Sequence, residues 1–257
     1  MRSHVQTLLV LLLASTVVHG APRAVEDPLP TVSFGTFPLP LKRTYVSSAA
    51  GTPAGKAELI SPYPNDFPPS LTVLLQDVRK FPSGKGQYYF PSRNAIRVYR
   101  ITNADTVPYK TIQPQIRSLR TILGERPVSV VSTQGHFLPD YPPRNSAHCF
   151  ELKLSYIDAD WGSAVCYVTQ FTQDGGTSAN NEELTYIVQG LSKDGAFYIS
   201  ADFSITHPKL PNRVRDTPDR KKGDYGPDVA LLSKQDDGSF NPPLKALRTW
   251  LATLEVK

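Results

Sequence analysis

The chain has 257 residues, with 28 Lys and Arg against 23 Asp and Glu, 24 Pro, 16 Gly and two Cys. That length suits one larger domain with a real core. The small positive excess lacks the dense clusters of a nucleic-acid binder, so no nucleic-acid partner is expected. High Pro beside ordinary Gly excludes a collagen-like chain and points to long ordered loops.

Met1 to Gly20 carries Arg2, an apolar run from Leu8 to Ala14, and short residues around Val18-His19-Gly20. This is the order of a secretory signal peptide, with cleavage expected after Gly20. Nothing later approaches 18 consecutive apolar residues, so no transmembrane anchor is expected and the chain should be released outside the cell. Residues 21–30, APRAVEDPLP, read as a polar flexible leader. Residues 31–257 read as a single α+β domain with long Pro-rich loops.

Thr31 to Leu39 alternates weakly and reads as a first strand. Lys42-Arg43 is a dibasic pair, either solvated at a strand end or a processing site. Residues 47–70 hold five Pro and read as a loop with a short strand near Glu58–Ile60. Leu71–Val78 and Ala95–Ile101 have strand length and pattern. The loop between them carries Tyr88, Tyr89 and Phe90, candidate ligand-binding rings whose alternative role is to cover the edge of the core.

Residues 112–123 read as a helix, with Pro114 in its first turn, Ile116, Leu119, Ile122 and Leu123 on one face, and Gly124 as the stop. Arg117 and Arg120 lie on the opposite face. A short strand is expected at Val128–Val131. Residues 148–206 carry the clearest strand signal, two hairpins in succession forming an antiparallel meander. The Pro-rich stretch 206–228 reads as a surface excursion. Residues 241–254 read as a second helix, N-capped by Asn241, with Leu244, Leu247, Leu251 and Leu254 on one face and Trp250 beside them.

A first turn at Asp160-Trp161 makes facing residues sum to 321. Phe150, Leu152, Leu154 and Tyr156 then share one apolar face with Val165, Tyr167, Thr169 and Phe171, and Cys149, Glu151, Lys153 and Ser155 point the other way. In the second hairpin, a two-residue turn at Asp194-Gly195 pairs Leu184, Tyr186 and Val188 with Ile205, Phe203 and Ala201. Export argues for a disulfide between Cys149 and Cys166. The register argues against it, separating them by roughly 20 Å where a bridge needs about 4.4 to 6.8 Å between Cα atoms.

The stretches SLRTILGERP, FLP, FELKLSYIDADWGSAVCYVTQF and NNEELTYIVQGLSKDGAFYISADFSITHPKLP follow one another in residues 112–211. This order resembles a group of uncharacterised secreted bacterial proteins with a YLD…G…RYLTQ hairpin, an INNxELFYTFQGLTxDGxYYV hairpin, a P…HPxLP exit and a terminal helix. Those motifs are turn and strand residues, so the resemblance implies a fold and no activity. The layout of helix, four-stranded meander and helix is also similar to a PsbP/Mog1-like sandwich.

H-E-x-x-H, G-x-S-x-G, C-x-x-C, P-loop and Gly-rich dinucleotide motifs are all missing, so no cofactor and no metal is expected. His136, His148 and His207 lack metal-ligand spacing, although Asp140 or Glu151 could complete a site in space. Asp158, Asp160 and Gly162 depart from a calcium loop and suit a turn. Arg117 and Arg120, with Arg213, Arg215, Arg220, Lys221 and Lys222, form a candidate basic patch for an acidic polysaccharide. The expectation is a secreted, non-catalytic, monomeric binding protein whose ligand is a carbohydrate or a surface protein. The alternatives are that polysaccharide binder and a hydrolase assembled from distant loops. A hydrolase requires three or more of His136, Asp140, His148, Glu151 and Glu183 to meet in one cleft.

Overall fold

A computed structural model describes residues 32–34, 41–48, 68, 70–77, 94–101, 110–129, 138–144, 146–172, 178–216 and 223–257. The fold is α+β. Seven antiparallel strands form the main sheet in the order β2 (Leu41–Ser48), β3 (Ser70–Asp77), β4 (Ala95–Arg100), β8 (Phe197–Ser204), β7 (Leu184–Ser192), β6 (Gly162–Thr172), β5 (Ala147–Asp158). A separate ribbon joins β1 (Val32–Ser33) to β9 (Glu255–Val256); Phe34 is outside the strand, and residues 31 and 35–39 of the expected first strand lie outside the described residues.

Both faces of the sheet are buried, where a single apolar face was expected. One face packs Val73, Ile96, Val98, Cys166, Val168, Tyr186, Val188 and Phe203 against Leu232 of α2 (Gly226–Ser233) and Leu244, Leu247, Trp250 and Leu251 of α3 (Leu244–Leu251). The other packs Tyr99, Val165, Tyr167, Ile187 and Tyr198 against Ile112, Ile116 and Leu119 of α1 (Ile112–Glu125). A strand buried on both sides must be apolar at successive positions. The stretch 164–168, AVCYV, fulfils that, and all five residues are fully buried.

The first hairpin turns at Asp160-Trp161, where Ala159 and Gly162 exchange backbone hydrogen bonds of 2.9 and 3.2 Å. The expected register holds beside it, pairing Ser155 with Cys166 and Tyr156 with Val165. Two bulges in β5 then shift it, so Leu152 faces Val168 and His148 faces Phe171. Each bulge adds one residue and reverses which face the following side chains meet. Leu152 therefore joins the α3 side while Leu154 and Tyr156 pack on the α1 side. Lys153, at φ 57, sits in the second bulge, and its ammonium caps the end of α2 by donating to Ser233 O and Gln235 O.

The second hairpin keeps the expected pairs Tyr186–Phe203 and Val188–Ala201, but its turn differs. Gly195 N donates to Ser192 O at 2.9 Å, and only Gly195, at φ 70, is left-handed. A type I′ turn would need Asp194 there too. Asp194 instead accepts from Ala196 N and Ser192 Oγ, which closes a longer loop without disturbing the register.

Helix boundaries depart from expectation for local reasons. Gly124 lies inside α1, and Arg126, at φ 49, makes the left-handed cap by donating its N–H to Ile122 O. Asn241 is no cap: it exchanges backbone hydrogen bonds with Thr206 at 2.9 Å, so α3 begins at Leu244. The helix α2 was not anticipated, because its eight residues lack a helical apolar period. Val128 is 95% exposed and not in a strand, while residues 130–131 lie outside the described residues. The stretch after β8 is anchored rather than excursive at its start: His207 and Leu210 are buried, and Asn181 Nδ2 donates to His207 O and Leu210 O.

Candidate functional site

The densest group of ionisable side chains lies on the α1 side of the sheet, beneath a strap formed by residues 138–144. His148 and Glu151 are three residues apart and would point to opposite faces of a regular strand. The first β5 bulge falls between them and returns both to one face. His148 Nδ1 lies 2.7 Å from Glu151 Oε1, and its Nε2 lies 3.7 Å from Asp140 Oδ2. The ring packs edgewise on Phe171, with centroids 4.9 Å apart.

From Asp140 the chain of charges continues inward. Arg144 Nε lies 3.2 Å from Asp140 Oδ2, and Arg144 Nη2 donates to Asp202 Oδ2 at 2.8 Å. Asp202 Oδ1 accepts from Arg97 Nη1 at 3.2 Å, and the Arg144 guanidinium stacks 4.4 Å above Phe171. Arg97, Arg144 and a protonated His148 balance Asp202, Asp140 and Glu151.

Burial by itself would push His148 down. Hydrogen bonds and charge from Asp140 and Glu151 outweigh it and hold the imidazole up at about 9. Burial would raise Asp202, yet Arg97 and Arg144 bring it below the usual carboxylate range. One oxygen of each outer carboxylate, Asp140 Oδ1 and Glu151 Oε2, is buried without a hydrogen-bond partner among the described residues. Burying this network therefore costs stability as well as supplying it.

The strap is held by side chains reaching up from six elements. Tyr141 is fully buried, its ring set edgewise to Tyr99 and Tyr198 at 4.8 and 5.8 Å. Gln189 Oε1 accepts from Tyr141 N, and Gln189 Nε2 donates to Tyr141 O, both at 3.3 Å. Ser200 Oγ donates to the same carbonyl, and Tyr167 OH donates to Pro139 O at 2.9 Å. Leu138 N donates to Glu151 Oε1 and Asp140 N to Gln115 Oε1. Gln189, Ser200 and Asp202 were not among the expected site residues; they are polar and 0–1% exposed in central strands. Their polarity in an otherwise apolar hairpin was the available signal.

A second polar cluster occupies the opposite face, since Gln170 alternates with Phe171. Glu183 Oε2 accepts from Gln170 Nε2 at 2.8 Å and Asn180 Nδ2 at 3.2 Å. Asp228 Oδ2 accepts from Ala179 N. Cys149 and Cys166 are free thiols. Burial pushes Cys149 up to about 11 and Cys166 up to about 12.

Of the five residues among which a hydrolase needs three or more together, Asp140, His148 and Glu151 meet, but Asp140 lies in the strap and the other two beneath it, with side chains 13%, 9% and 6% exposed. Glu183 belongs to the other face, and His136 lies outside the described residues. His207 stands apart beside Ser239. Among the described residues, no group of three His, Cys, Asp or Glu is placed to hold a metal ion. The Asp158 carboxylate is taken by Arg126 and Ser163.

Arg117 and Arg120 are exposed on α1, whose C-terminal cap residue Arg126 pairs with Asp158 beside the first hairpin turn. The late basic loop begins at the other end of the strands, where Val214 N donates to Glu182 Oε2. The nine residues of β7 separate those ends, roughly 25 Å at ~3.3 Å per residue. Tyr88, Tyr89, Phe90, Lys221 and Lys222 lie outside the described residues. No described helix is long and apolar enough to cross a membrane. Compared with known proteins, the chain matches no family model, no curated protein and no solved structure.

Proposed function

We propose that this chain is a secreted, non-catalytic binding protein that acts through surface contacts at the cell exterior. The observation that carries this reading is the closure of the ionisable cluster on itself. Both ring nitrogens of His148 face carboxylates, and Arg144 spans Asp140 and Asp202. A general base needs a free lone pair within reach of substrate; the imidazolium between two carboxylates offers none, and the unpartnered Asp140 Oδ1 and Glu151 Oε2 are buried. The sheet then serves as scaffold, and contact falls to exposed positions such as Arg117 and Arg120 with the aromatic and basic loops. The resemblance to secreted bacterial proteins and the signal-like amino terminus belong with this reading.

The hydrolase reading draws support from one observation, the meeting of Asp140, His148 and Glu151. The two separate in an assay of mature protein, purified without its first 20 residues, against glycan, ester and peptide panels scored for both binding and turnover. Saturable binding without turnover supports the proposal. Turnover that disappears in a folded His148→Gln variant overturns it in favour of the hydrolase. Salt-dependent retention on an acidic glycan column, weakened by charge reversal at Lys221 and Lys222, would single out the polysaccharide ligand.

A further inference from the structure

We propose that the α1-side face of β6, β7 and β8 is a peptide-binding groove that residues 138–144 fill in cis. The inference rests on the reading of this chain as a binding protein and names a site and a ligand class for it. The ligand class is an extended segment with a tyrosine flanked by proline and an arginine three residues later, as in the strap sequence Leu-Pro-Asp-Tyr-Pro-Pro-Arg.

The strap is bound as a ligand is bound. A side-chain amide, Gln189, takes both the N–H and the C=O of Tyr141, the pairing that one backbone would offer another in a sheet. Ser200 donates to the same Tyr141 carbonyl, and Tyr167 donates to that of Pro139. Tyr99 and Tyr198 make a box for one ring, and Asp202 receives one guanidinium. These recognition groups sit on central strands, are buried, and have the strap as their common partner. If the strap left the groove empty, Gln189, Ser200 and Asp202 would lose hydrogen bonds in a site walled by aromatic rings, which is unfavourable. Replacement by a segment repeating the same chemistry restores every contact. The favoured way to vacate the groove is therefore exchange, peptide for strap. Because the strap is tethered, its effective concentration is high and a free peptide competes poorly until the strap is weakened.

The test uses the mature chain and a labelled heptapeptide of the strap sequence. Tyr141→Ala removes the ring that fills the Tyr99–Tyr198 box while leaving the groove. Fluorescence polarisation should show the variant binding the heptapeptide at least about tenfold more tightly than the wild type does. The same peptide carrying Ala in place of its Tyr should not bind. Thermal midpoint should rise with peptide concentration in the variant, as for any ligand of the native state. A folded variant that ignores the peptide, or that binds both peptides equally, overturns the groove and leaves the surface-binding proposal to its own assay. Hydrogen exchange of the wild type tests the inference without any variant. The amides of Asp140, Tyr141 and Arg144 should exchange through a local opening at least about tenfold more populated than the opening that releases β7 and β8. Exchange of all of them only with the central strands overturns it.

Discussion

Replacing His148 by Gln should flatten a specific part of the stability profile against pH. The folded imidazole is raised from 6.5 to about 9, so the proton is bound more tightly in the native state than in the unfolded one. The stabilisation is fully present below the unfolded value and disappears as pH rises through about 9. Conversion at about 1.4 kcal/mol per pH unit gives about 3 kcal/mol at low pH and about 2.5 kcal/mol at pH 7. The ring is buried, so solvent screening takes little of this away. Between pH 7 and pH 10 the wild type should therefore lose about 2.5 kcal/mol that the variant never had. For a chain of this size the loss is a fall in melting temperature of about 5 to 10 °C. The cysteine thiols, held at about 11 and about 12 in the fold, ionise earlier once unfolded, but that high-pH loss is common to wild type and variant and cancels in the comparison. The assay is thermal or urea unfolding of wild type and His148→Gln at half-unit steps across that range. Parallel curves would refute the reasoning, because they would mean that His148 is not proton-linked to Asp140 and Glu151.

Gly190→Ala should destabilise the fold by about 1 to 3 kcal/mol in urea unfolding, since the new Cβ would lie 2.8 Å from Trp161 Cη2 and 2.9 Å from Ala164 Cβ. Trp161→Phe keeps the ring packing but removes the 2.9 Å bond from Nε1 to Leu251 O, and should cost about 1 to 3 kcal/mol by the same measurement. A thiol-specific reagent at pH 8 should react slowly with the native protein and with two thiols per chain after unfolding without reductant. Zero thiols would instead establish the Cys149–Cys166 bridge. Arg117→Glu with Arg120→Glu should leave the melting temperature within about 2 °C of wild type, because both side chains point to solvent. Any loss of ligand retention in that variant is then a surface effect.

The hairpins were legible because strand alternation and turn residues act locally. Asp160-Trp161 closes where its flanking pattern requires, and the pairs Tyr186–Phe203 and Val188–Ala201 follow from burial alone. The turn at Asp194-Gly195 was misassigned because an Asp carboxylate can brace a four-residue loop as readily as Gly can enter a two-residue one. The bulges in β5 were invisible. Nothing in FELKLSY breaks its alternation, and Lys153, at φ 57, reaches a helix end 80 residues later in the chain that no local pattern announces. The site was hidden for the same reason. His148 and Glu151 look like opposed strand residues until the bulge is known, and Asp140 and Arg144 look like loop charges until Asp202 is placed beneath them.

The two bulges also explain how an edge strand can carry this site. β5 and β2 are the two edges of the sheet. An unbroken edge presents a regular row of backbone groups to any other strand, and β2 pairs with β3 in one uninterrupted register over all eight residues. β5 is interrupted twice. Each interruption spoils the outer row of donors and acceptors while turning a charged side chain to use, Glu151 toward His148 and Lys153 toward the end of α2. A straight β5 would keep its alternation, expose a template for pairing, and leave the strap without its ionic anchor. Protection of the edge and assembly of the buried cluster are therefore one structural solution, and the irregularity that defeats pattern reading is the feature on which both depend.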